Sequence, residues 1–398
     1  MLLVGFSLPE ATPRMSKREI VTLYQKNISQ IRQEPGKPSS RPWDYFHPTW
    51  IKESPWAFYK SSPSNDFSGA FSDSSFLIND PQNKIEREFL PPSDLRGRVQ
   101  FWIDVYSKYT SRMRIIHDKR HPEVSFGYID FRPLFRQSNS IVAAEIKSAQ
   151  FEKAIIKQLK ARLDEAAGIS KTHLLSSEEK TAIQSFLSRN GALDKASYQR
   201  LLKNIRTQTG QKDVFLLALK RSKHLLPHIE SVFKQQDLPV ALARIPFVES
   251  SFNTRAQSKI GAVGIWQFTP DTARELIHAD ASHLWGDPLK QTRSAAKLLR
   301  AYRSVLPDWG TAITSYNSGV GRVRRIIQKY KVKNIVRMVD LSHSDTLGFA
   351  GKNFYSEFLA ANFVEAYKEQ LFGDLLSATD SMLVFKENGA VPREYCDL

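Results

Sequence analysis

The feature that most restricts the fold is a helical spacing of apolar residues that starts near Ile141 and continues along the remaining chain. Ile155, Leu159 and Leu163 recur at four-residue steps, which places them on one face of a helix. A further helical pattern covers residues 214–233. The sequence therefore predicts a mainly α fold.

The first part of the chain has a more mixed pattern. Residues 16–32 and 98–109 carry apolar side chains at helical spacing. Residues 113–116 and 124–129 are short runs typical of strands. We therefore expect a small mixed α+β region within residues 1–140, followed by a helical region.

Aromatic side chains are concentrated in residues 43–59, where Pro48 and Pro55 exclude a regular helix. This segment is predicted to be an extended arm. Its rings could form a stacking surface for sugars, or they could anchor the arm on a folded domain. We favour anchoring, because buried aromatic side chains dominate packing energy.

Two histidines and an aspartate stand in the predicted turn between the two strands, namely His117, Asp118 and His121. Histidine and carboxylate side chains are common metal ligands. The sequence offers no third ligand of suitable spacing, so we expect an ordinary polar turn here and no metal site.

The chain is strongly basic, because 57 Lys and Arg residues against 41 Asp and Glu give a formal charge of +16. Such an excess favours a polyanionic partner. A nucleic-acid-binding protein would fit the charge, but no helix-turn-helix, zinc-finger or RNA-binding aromatic motif is recognisable, so no nucleic acid is expected. The single cysteine, Cys396, excludes an intramolecular disulfide and a cysteine-based zinc site.

One carboxyl group stands in a setting that favours acid catalysis. Pro239 suits the first turn of a helix whose apolar residues Leu242, Ile245 and Val248 lead to Glu249 at its end. A helix C-terminus repels negative charge and an apolar pocket disfavours a carboxylate, so both would raise the pKa of Glu249 toward that of a general acid. On this fragment alone, a surface glutamate near a helix end is the better interpretation.

Three short motifs change that interpretation. They are Glu-Ser at 249–250, Ser-x-x-Gly-Ala-x-Gly-Ile-Trp-Gln-Phe at 258–268 and Tyr-Asn-x-Gly at 316–319. Together, over roughly residues 225–370, they resemble the catalytic domain of family 1 lytic transglycosylases, which have a lysozyme-like fold of the goose type. Residues 348–361 and the upstream residues 98–109 look closest to the membrane-bound transglycosylase D branch. Any one motif alone would be weak.

The resemblance implies roles for five residues. Glu249 matches the single catalytic acid/base, and Ser258 and Gln267 match residues that contact the glycan near the scissile bond. Tyr316 matches the tyrosine that orients the glutamate, and Asn317 is expected to be a hydrogen-bond partner of nearby backbone. No cofactor and no metal are implied.

The sequence departs from the family pattern at a few positions. Thr269 stands where a methionine is usual, and Ser315 and Ser318 flank Tyr-Asn where alanines are common. These changes affect packing around the groove, so they bear on substrate preference more than on the reaction. Thr269 is also predicted to cap a helix that has Pro270 in its first turn.

The resemblance implies cleavage of the β-1,4 bond between N-acetylmuramic acid and N-acetylglucosamine in peptidoglycan, with formation of 1,6-anhydromuramoyl ends. Most glycoside hydrolases use two carboxyl groups. Here the C6 hydroxyl of muramic acid would be the nucleophile, so one acid suffices. A lysozyme-like muramidase that uses water and an inactive peptidoglycan-binding or scaffold protein are the alternatives.

Other residues near the motifs have simpler interpretations. Trp266 and Phe268 are expected to be core residues that hold the glycine-containing turn. Arg322, Arg324 and Arg325 begin a basic helix, which either attracts the carboxylates of stem peptides or is a solvated face. The acids expected to be structural or solvated are Asp271, Glu275, Asp280, Asp287 and Asp308.

The sequence predicts four regions: an N-terminal accessory region with the aromatic arm (1–140), a helical linker or packing region (141–224), the catalytic domain (225–370) and a tail (371–398). No apolar stretch approaches the roughly 18 residues needed to span a bilayer. The start, MLLVGFSLPEA, resembles a truncated export signal without a basic segment or a lipid-attachment cysteine, although it could be an ordinary terminus. We expect an exported protein of the periplasm or cell envelope that acts on peptidoglycan glycan strands, with envelope proteins as further candidate partners.

Overall fold

The computed structural model describes residues 40–50, 74–192, 194–277, 287–341 and 347–376. The predicted helix over residues 16–32, most of the aromatic arm and most of the predicted tail lie outside the described residues.

The strands are β1 (Phe46–Pro48), β2 (Met113–Asp118), β3 (Ser125–Asp130) and β4 (Ile205–Thr209). The α-helices are α1 (Arg96–Ser107), α2 (Arg132–Arg136), α3 (Ile141–Ala166), α4 (Ser177–Arg189), α5 (Lys195–Asn204), α6 (Lys212–Ser222), α7 (Leu226–Gln235), α8 (Ile245–Glu249), α9 (Pro270–Ile277), α10 (Pro288–Val305), α11 (Trp309–Ser318), α12 (Val320–Tyr330), α13 (Ile335–Leu341), α14 (Gly348–Ala366) and α15 (Lys368–Phe372). The mainly α prediction with a small mixed region is confirmed.

The chain divides into two compact units, and their described parts are residues 40–50 and 109–210 in the first, and 74–108 and 211–376 in the second. We call them the sheet unit and the helical unit. The helical unit contains α1 and every helix from α6 onward, so it is assembled from two separate stretches of chain.

The sheet unit is built on an antiparallel sheet with the strand order β1-β3-β2-β4. The predicted strand pair is confirmed as the hairpin of β2 and β3, in which Ile115 lies opposite Tyr128. Ile155, Leu159 and Leu163 of α3 are fully buried in the core of this unit. Their four-residue spacing therefore marks the buried face of α3, as the sequence predicts.

The prediction that the chain after Ile141 is helical throughout is wrong at β4. Ile205, Thr207 and Thr209 alternate along the strand, and β-branched residues fit a pleated sheet better than a helix. Strand β4 pairs with β2, which precedes it by almost a hundred residues, so the signal that fixes this strand is not local.

The described part of the aromatic arm is anchored in the sheet unit. Tyr45, Phe46 and Trp50 are buried in its core, and the rings of Phe46 and Trp50 lie 6.2 Å apart between centroids. The ring of His47 in β1 stacks on that of Tyr128 at 4.6 Å. For these residues the anchoring interpretation is confirmed, whereas residues 51–59 lie outside the described residues.

The polar residues between β2 and β3 form a tight turn. The carboxylate of Asp118 accepts hydrogen bonds from the backbone amides of Arg120 at 2.6 Å and His121 at 3.0 Å. The ring of His121 lies 3.3 Å from the carboxylate of Glu123. A polar turn follows β2, and Asp118 closes it as an Asx residue closes many turns. The predicted placement of His117 in this turn is wrong, because His117 lies within β2 and is fully buried.

Helix α14 lies at the centre of the helical unit, where α1, α8 and α11 pack against it. Its side chains are buried on almost every face, among them Phe354, Phe358 and Phe363. Asn353 accepts hydrogen bonds from Arg98 at 2.9 Å and from the indole of Trp102 at 3.2 Å, both on α1. Helix α1 is thus joined to α14 by a buried polar contact as well as by apolar packing.

Two predicted helices are each divided by a proline. The pattern over residues 214–233 is interrupted at Ser222, and α7 restarts with Pro227 in its first turn. The predicted helix from Pro239 to Glu249 consists of a 3-10 helix, Val240–Arg244, followed by α8 with Pro246 in its first turn. Proline lacks an amide hydrogen and obstructs the preceding turn, so it starts a helix more readily than it continues one.

The boundaries of the units differ from the predicted regions. The predicted boundaries follow residues 140 and 224, whereas the units change after residues 108 and 210. The reason is long-range packing: α1 belongs with α14, and β4 belongs with β2. Among the described residues, no helix combines the length and the apolarity that a membrane span requires.

Candidate active site

Glu249 is the last residue of α8 and is only 5% exposed. The rings of Phe247 and Phe252, both buried, lie 4.5 Å apart between centroids on either side of it in the chain. Burial, with a smaller contribution from the negative charge of Glu357, raises the pKa of Glu249 to about 8. The carboxyl group is therefore protonated at neutral pH, as a general acid requires.

The chain turns sharply after Glu249. Ser251 and Phe252 both adopt positive φ angles, 52° and 54°, a region that non-glycine residues rarely occupy. The hydroxyl of Ser250 donates a hydrogen bond of 2.9 Å to the backbone carbonyl of Ile265. This bond joins the end of α8 to the segment that carries the second sequence motif.

Residues 256–268 form a compact loop, which we call the motif loop. The amide of Ser258 donates to the carbonyl of Ala262 at 2.8 Å, and the Ser258 hydroxyl accepts from the amide of Ala262 at 3.0 Å. Val263 bridges to both Gln257 and Phe268. The Ser258 hydroxyl thus closes the turn. Because Ser258 is partly exposed, the same hydroxyl can still donate a hydrogen bond to a ligand.

Gln267 is held in an unusual backbone conformation, with a φ of 48°. Its side-chain amide donates to the carbonyl of Gly264 at 2.9 Å and to that of Ala256 at 3.3 Å. Gly264 has a φ of 73°, and a Cβ there would lie 2.4 Å from the side-chain amide of Gln291. The positive φ favours glycine at this position, and a larger residue would also have to displace the buried Gln291 side chain of α10.

The aromatic residues on either side of Gln267 are core residues, as predicted. Trp266 is fully buried and Phe268 nearly so. The indole nitrogen of Trp266 donates a hydrogen bond of 2.9 Å to the hydroxyl of Thr292 on α10. Trp266 and Phe268 therefore hold the motif loop in place rather than presenting ring faces to a ligand.

Tyr316 on α11 contacts the same loop. Its hydroxyl donates a hydrogen bond of 2.7 Å to the backbone carbonyl of Trp266. Burial raises the pKa of Tyr316 well above its usual value, and the negative charge of ionised Glu249 would raise that pKa further. Among the described residues, however, no side chain donates a hydrogen bond to the Glu249 carboxyl group. The contact that the sequence predicts between tyrosine and glutamate is here a contact between tyrosine and the motif loop.

Asn317 follows Tyr316 and is partly buried. Its side-chain oxygen accepts a hydrogen bond of 3.4 Å from the hydroxyl of Ser318. The expected partner was nearby backbone, so the observed contact differs, and it involves one of the serines that depart from the family pattern. Gly319, with a φ of 81°, then ends α11 and permits the turn into α12.

Where they are described, the neighbouring acids predicted to be structural or solvated cap helices or form a surface ion pair. Asp287 and Asp308 cap α10 and α11, and Asp271 pairs with Arg274 on the surface. Thr269 caps α9 through the amide of Thr272 at 3.3 Å, as predicted. The Glu275 side chain and Asp280 lie outside the described residues. No three His, Cys, Asp or Glu side chains cluster as metal ligands within the described ranges.

Three residues of the site lacked a predicted role. Ser250 belongs to the Glu-Ser motif, so its spacing beside Glu249 could have indicated a positioning function. Glu357 and Thr292 lie on distant helices, and no local pattern distinguishes them from other polar residues. Only the packing of α14 against α8, and of α10 against the motif loop, brings them to the site.

Comparison with known proteins supports the resemblance. Residues 229–339 match the protein family described as the transglycosylase SLT domain. The chain is 30% identical over 137 residues to the membrane-bound lytic murein transglycosylase D of Escherichia coli K12, a match that covers 33% of this chain and 29% of that protein. It is 34% identical over 116 residues to a putative tributyltin chloride resistance protein of Alteromonas sp. strain M-1, covering 28% and 56% of the two chains. The match thus spans less than two thirds of the length of these relatives.

Proposed function

We propose that this chain, which carries a transglycosylase SLT domain at residues 229–339, is a peptidoglycan lytic transglycosylase. It cleaves the β-1,4 bond between N-acetylmuramic acid and N-acetylglucosamine and leaves a 1,6-anhydromuramoyl end. The observation that carries the proposal is the burial of the Glu249 carboxyl group together with its raised pKa. A buried carboxyl group with a pKa of about 8, inside the matched segment, can donate its proton at neutral pH.

In the proposed reaction, Glu249 transfers its proton to the glycosidic oxygen while the bond from that oxygen to C1 of muramic acid breaks. The resulting carboxylate then removes the proton from the C6 hydroxyl of the same sugar, and the C6 oxygen bonds to C1. Glu249 ends the cycle protonated, as it began. No water is consumed, so a second carboxylate to activate water is not required.

The other four site residues are proposed to bind the glycan or to arrange the loop that binds it. Ser258 and Gln267 lie on the motif loop and are proposed to contact the sugar near the scissile bond. Tyr316 and Asn317 lie on α11, where Tyr316 holds the carbonyl of Trp266. Because the loop is also joined to α8 through Ser250, its polar groups keep a constant position relative to Glu249.

We further propose that the protein acts in the periplasm or cell envelope, with peptidoglycan strands as its partner. The charge of +16 suits a polymer that carries carboxylates. The sheet unit, which contains the described part of the aromatic arm, is proposed to be an accessory module to the helical unit, in which the acid lies.

The test is digestion of purified sacculi, with mass analysis of the released fragments, by the wild-type protein, Glu249→Gln and the control Glu369→Gln. Glu369 is an exposed acid in the first turn of α15. Wild type and control are expected to release anhydro fragments, each lighter than the hydrolytic product by one water molecule. Glu249→Gln is expected to lose about 10²–10⁴-fold in rate, the usual contribution of general acid catalysis.

Each of the alternatives has its own outcome in the same assay. Fragments with reducing ends would identify a muramidase that uses water. Binding to sacculi without new ends of either kind would identify an inactive binding protein. A folded Glu249→Gln variant that retains wild-type turnover would show that another residue is the acid.

A further inference from the structure

The segment that follows the candidate site presents an exposed cationic surface. Between Asp308 and Asp340 the sequence contains no Asp or Glu. All of the Lys and Arg side chains in this interval are exposed. These residues, which we call the α12–α13 cationic surface, are Arg322, Arg324, Arg325, Lys329, Lys331, Lys333 and Arg337.

The packing of the two helices keeps these charges in solvent. Val323 and Ile326 of α12, and Ile335 and Met338 of α13, are buried and form the opposite face. The cationic surface takes part in no salt bridge with any described residue. The buried Arg244 shows the contrast, because it pairs with two glutamates of the helical unit.

The surface begins a few residues beyond Tyr316 in the chain, on a helix that packs against α11. Helix α12 starts directly after Gly319, three residues beyond Tyr316, and it packs against α11. At the other end, the amide of Ile335 donates a hydrogen bond of 3.0 Å to Asp308, the cap of α11. Helix α12 therefore runs back from the site toward the start of α11, with its charges in a row beside the helix that carries Tyr316.

The spacing of the charges suits an extended polyanion better than a small anion. Arg322, Arg325 and Lys329 stand at positions i, i+3 and i+7, which places them on one face of α12 over about 10 Å of helix. A single exposed ion pair contributes little, whereas several in a row contribute together. A small ion could reach only one or two of these groups at a time.

We propose that the α12–α13 cationic surface binds the carboxylates of the stem peptides that project from the glycan strand held at Glu249. This inference rests on the proposed function, because that function places the glycan next to Tyr316. It specifies the substrate class further: strands that carry peptides are preferred over strands without them. The surface would hold the strand by its side groups while the motif loop binds the sugars.

The experiment compares two triple variants that each lower the net charge by three. The test variant is Arg322→Gln/Arg325→Gln/Lys329→Gln. The matched control is Lys234→Gln/Arg293→Gln/Lys297→Gln, which removes exposed cations from α7 and α10. Release of anhydro ends is followed on intact glycan strands and on strands whose stem peptides an amidase has removed, at low and high salt. Binding of the same proteins to anionic phospholipid vesicles is measured in parallel.

On peptide-bearing strands, the test variant is expected to raise KM about three- to tenfold with little change in kcat, as the loss of several exposed ion pairs predicts. The control is expected to keep the wild-type KM. For wild type, KM on peptide-bearing strands should increase with salt, because salt screens exposed charges, and this increase should be smaller for the test variant. On strands without peptides, the KM values of the three proteins should converge.

Several outcomes would overturn the inference while leaving the proposed function intact. Equal KM values for both triple variants would show that only net charge matters. An undiminished difference on strands without peptides would place the contact on the glycan itself. Loss of binding to anionic phospholipid vesicles, with unchanged KM on peptide-bearing strands, would assign the surface to a membrane. Absence of anhydro ends with every protein would instead contradict the proposed function.

Discussion

The hydroxyl of Tyr316 donates its hydrogen bond to the backbone carbonyl of Trp266, the residue that precedes Gln267. Trp266 in turn donates from its indole to Thr292, and the neighbouring carbonyl of Ile265 accepts from Ser250. The loop that is proposed to contact the sugar is therefore held from three helices. Tyr316 acts on the motif loop through the backbone carbonyl of Trp266, so we propose that it is a positioning residue.

Tyr316→Phe tests this role. Loss of the phenol removes one hydrogen bond and keeps the ring, so the free energy of unfolding should fall by about 0.5–1.5 kcal/mol. Activity should fall about tenfold to a hundredfold, because the motif loop would no longer be fixed in position relative to Glu249. The two measurements are the thermal midpoint and the initial rate of anhydro-end formation on one preparation. A variant that is less stable but turns over at the wild-type rate would show that Tyr316 only packs.

Glu249→Gln should make the protein more stable at alkaline pH. Because the pKa of Glu249 in the folded state, about 8, lies above its ordinary value, folding takes up a proton between these two pH values. The contribution of this group to stability is complete below the ordinary pKa and is lost as pH rises through about 8. The variant should therefore match wild type near pH 4 and exceed it by roughly 2–4 kcal/mol near pH 9. Denaturant unfolding at both pH values measures the difference, and parallel stability curves would contradict the assigned pKa.

Glu357→Gln should change the pH dependence of the reaction. The rate of a reaction that needs protonated Glu249 declines as pH rises through about 8. Removal of the charge of Glu357 lowers the pKa of Glu249, so the alkaline decline should begin at a lower pH. Glu357→Asp, which keeps the charge, is the control. The profile of kcat/KM against pH is the measurement, and an unshifted alkaline limb in the Gln variant would rule out this coupling.

Gly264→Ala should destabilise the helical unit strongly. The position combines a φ of 73° with a Cβ site only 2.4 Å from the Gln291 amide, so the buried Gln291 side chain would have to move. The matched control is Gly319→Ala, which has a φ of 81° but no neighbour within 4 Å of the Cβ site. Strain alone should cost the control about 1 kcal/mol, and overpacking should add about 1–3 kcal/mol at Gly264. Equal thermal midpoints for the two variants would show that the surroundings of Gly264 accommodate the added methyl group without cost.

The sequence predicts the local parts of this molecule well and the non-local parts poorly. The buried face of α3, the hairpin of β2 and β3 and the cap at Thr269 all follow from spacings of a few residues. Strand β4 and the placement of α1 depend on partners about a hundred or more residues away. The local spacing of apolar residues does not indicate such partners. The same division holds at the site. The motifs indicate Glu249 and Gln267 as candidates, but the partner of the Tyr316 hydroxyl and the approach of Glu357 depend on how whole helices pack.

The hydrogen bond between Arg98 and Asn353 joins residues that are 255 positions apart, and it has a consequence for the order of folding. During synthesis, α1 leaves the ribosome long before α14, so the face of α1 that packs against α14 has no partner until the sheet unit and most of the helical unit have been made. Such separated contacts slow folding and leave apolar surface exposed in the meantime. The described strands of the sheet unit, by contrast, are complete once residue 209 has emerged. We therefore expect the nascent chain to fold first in its middle, and the pocket around Glu249 to form only after synthesis has passed α14.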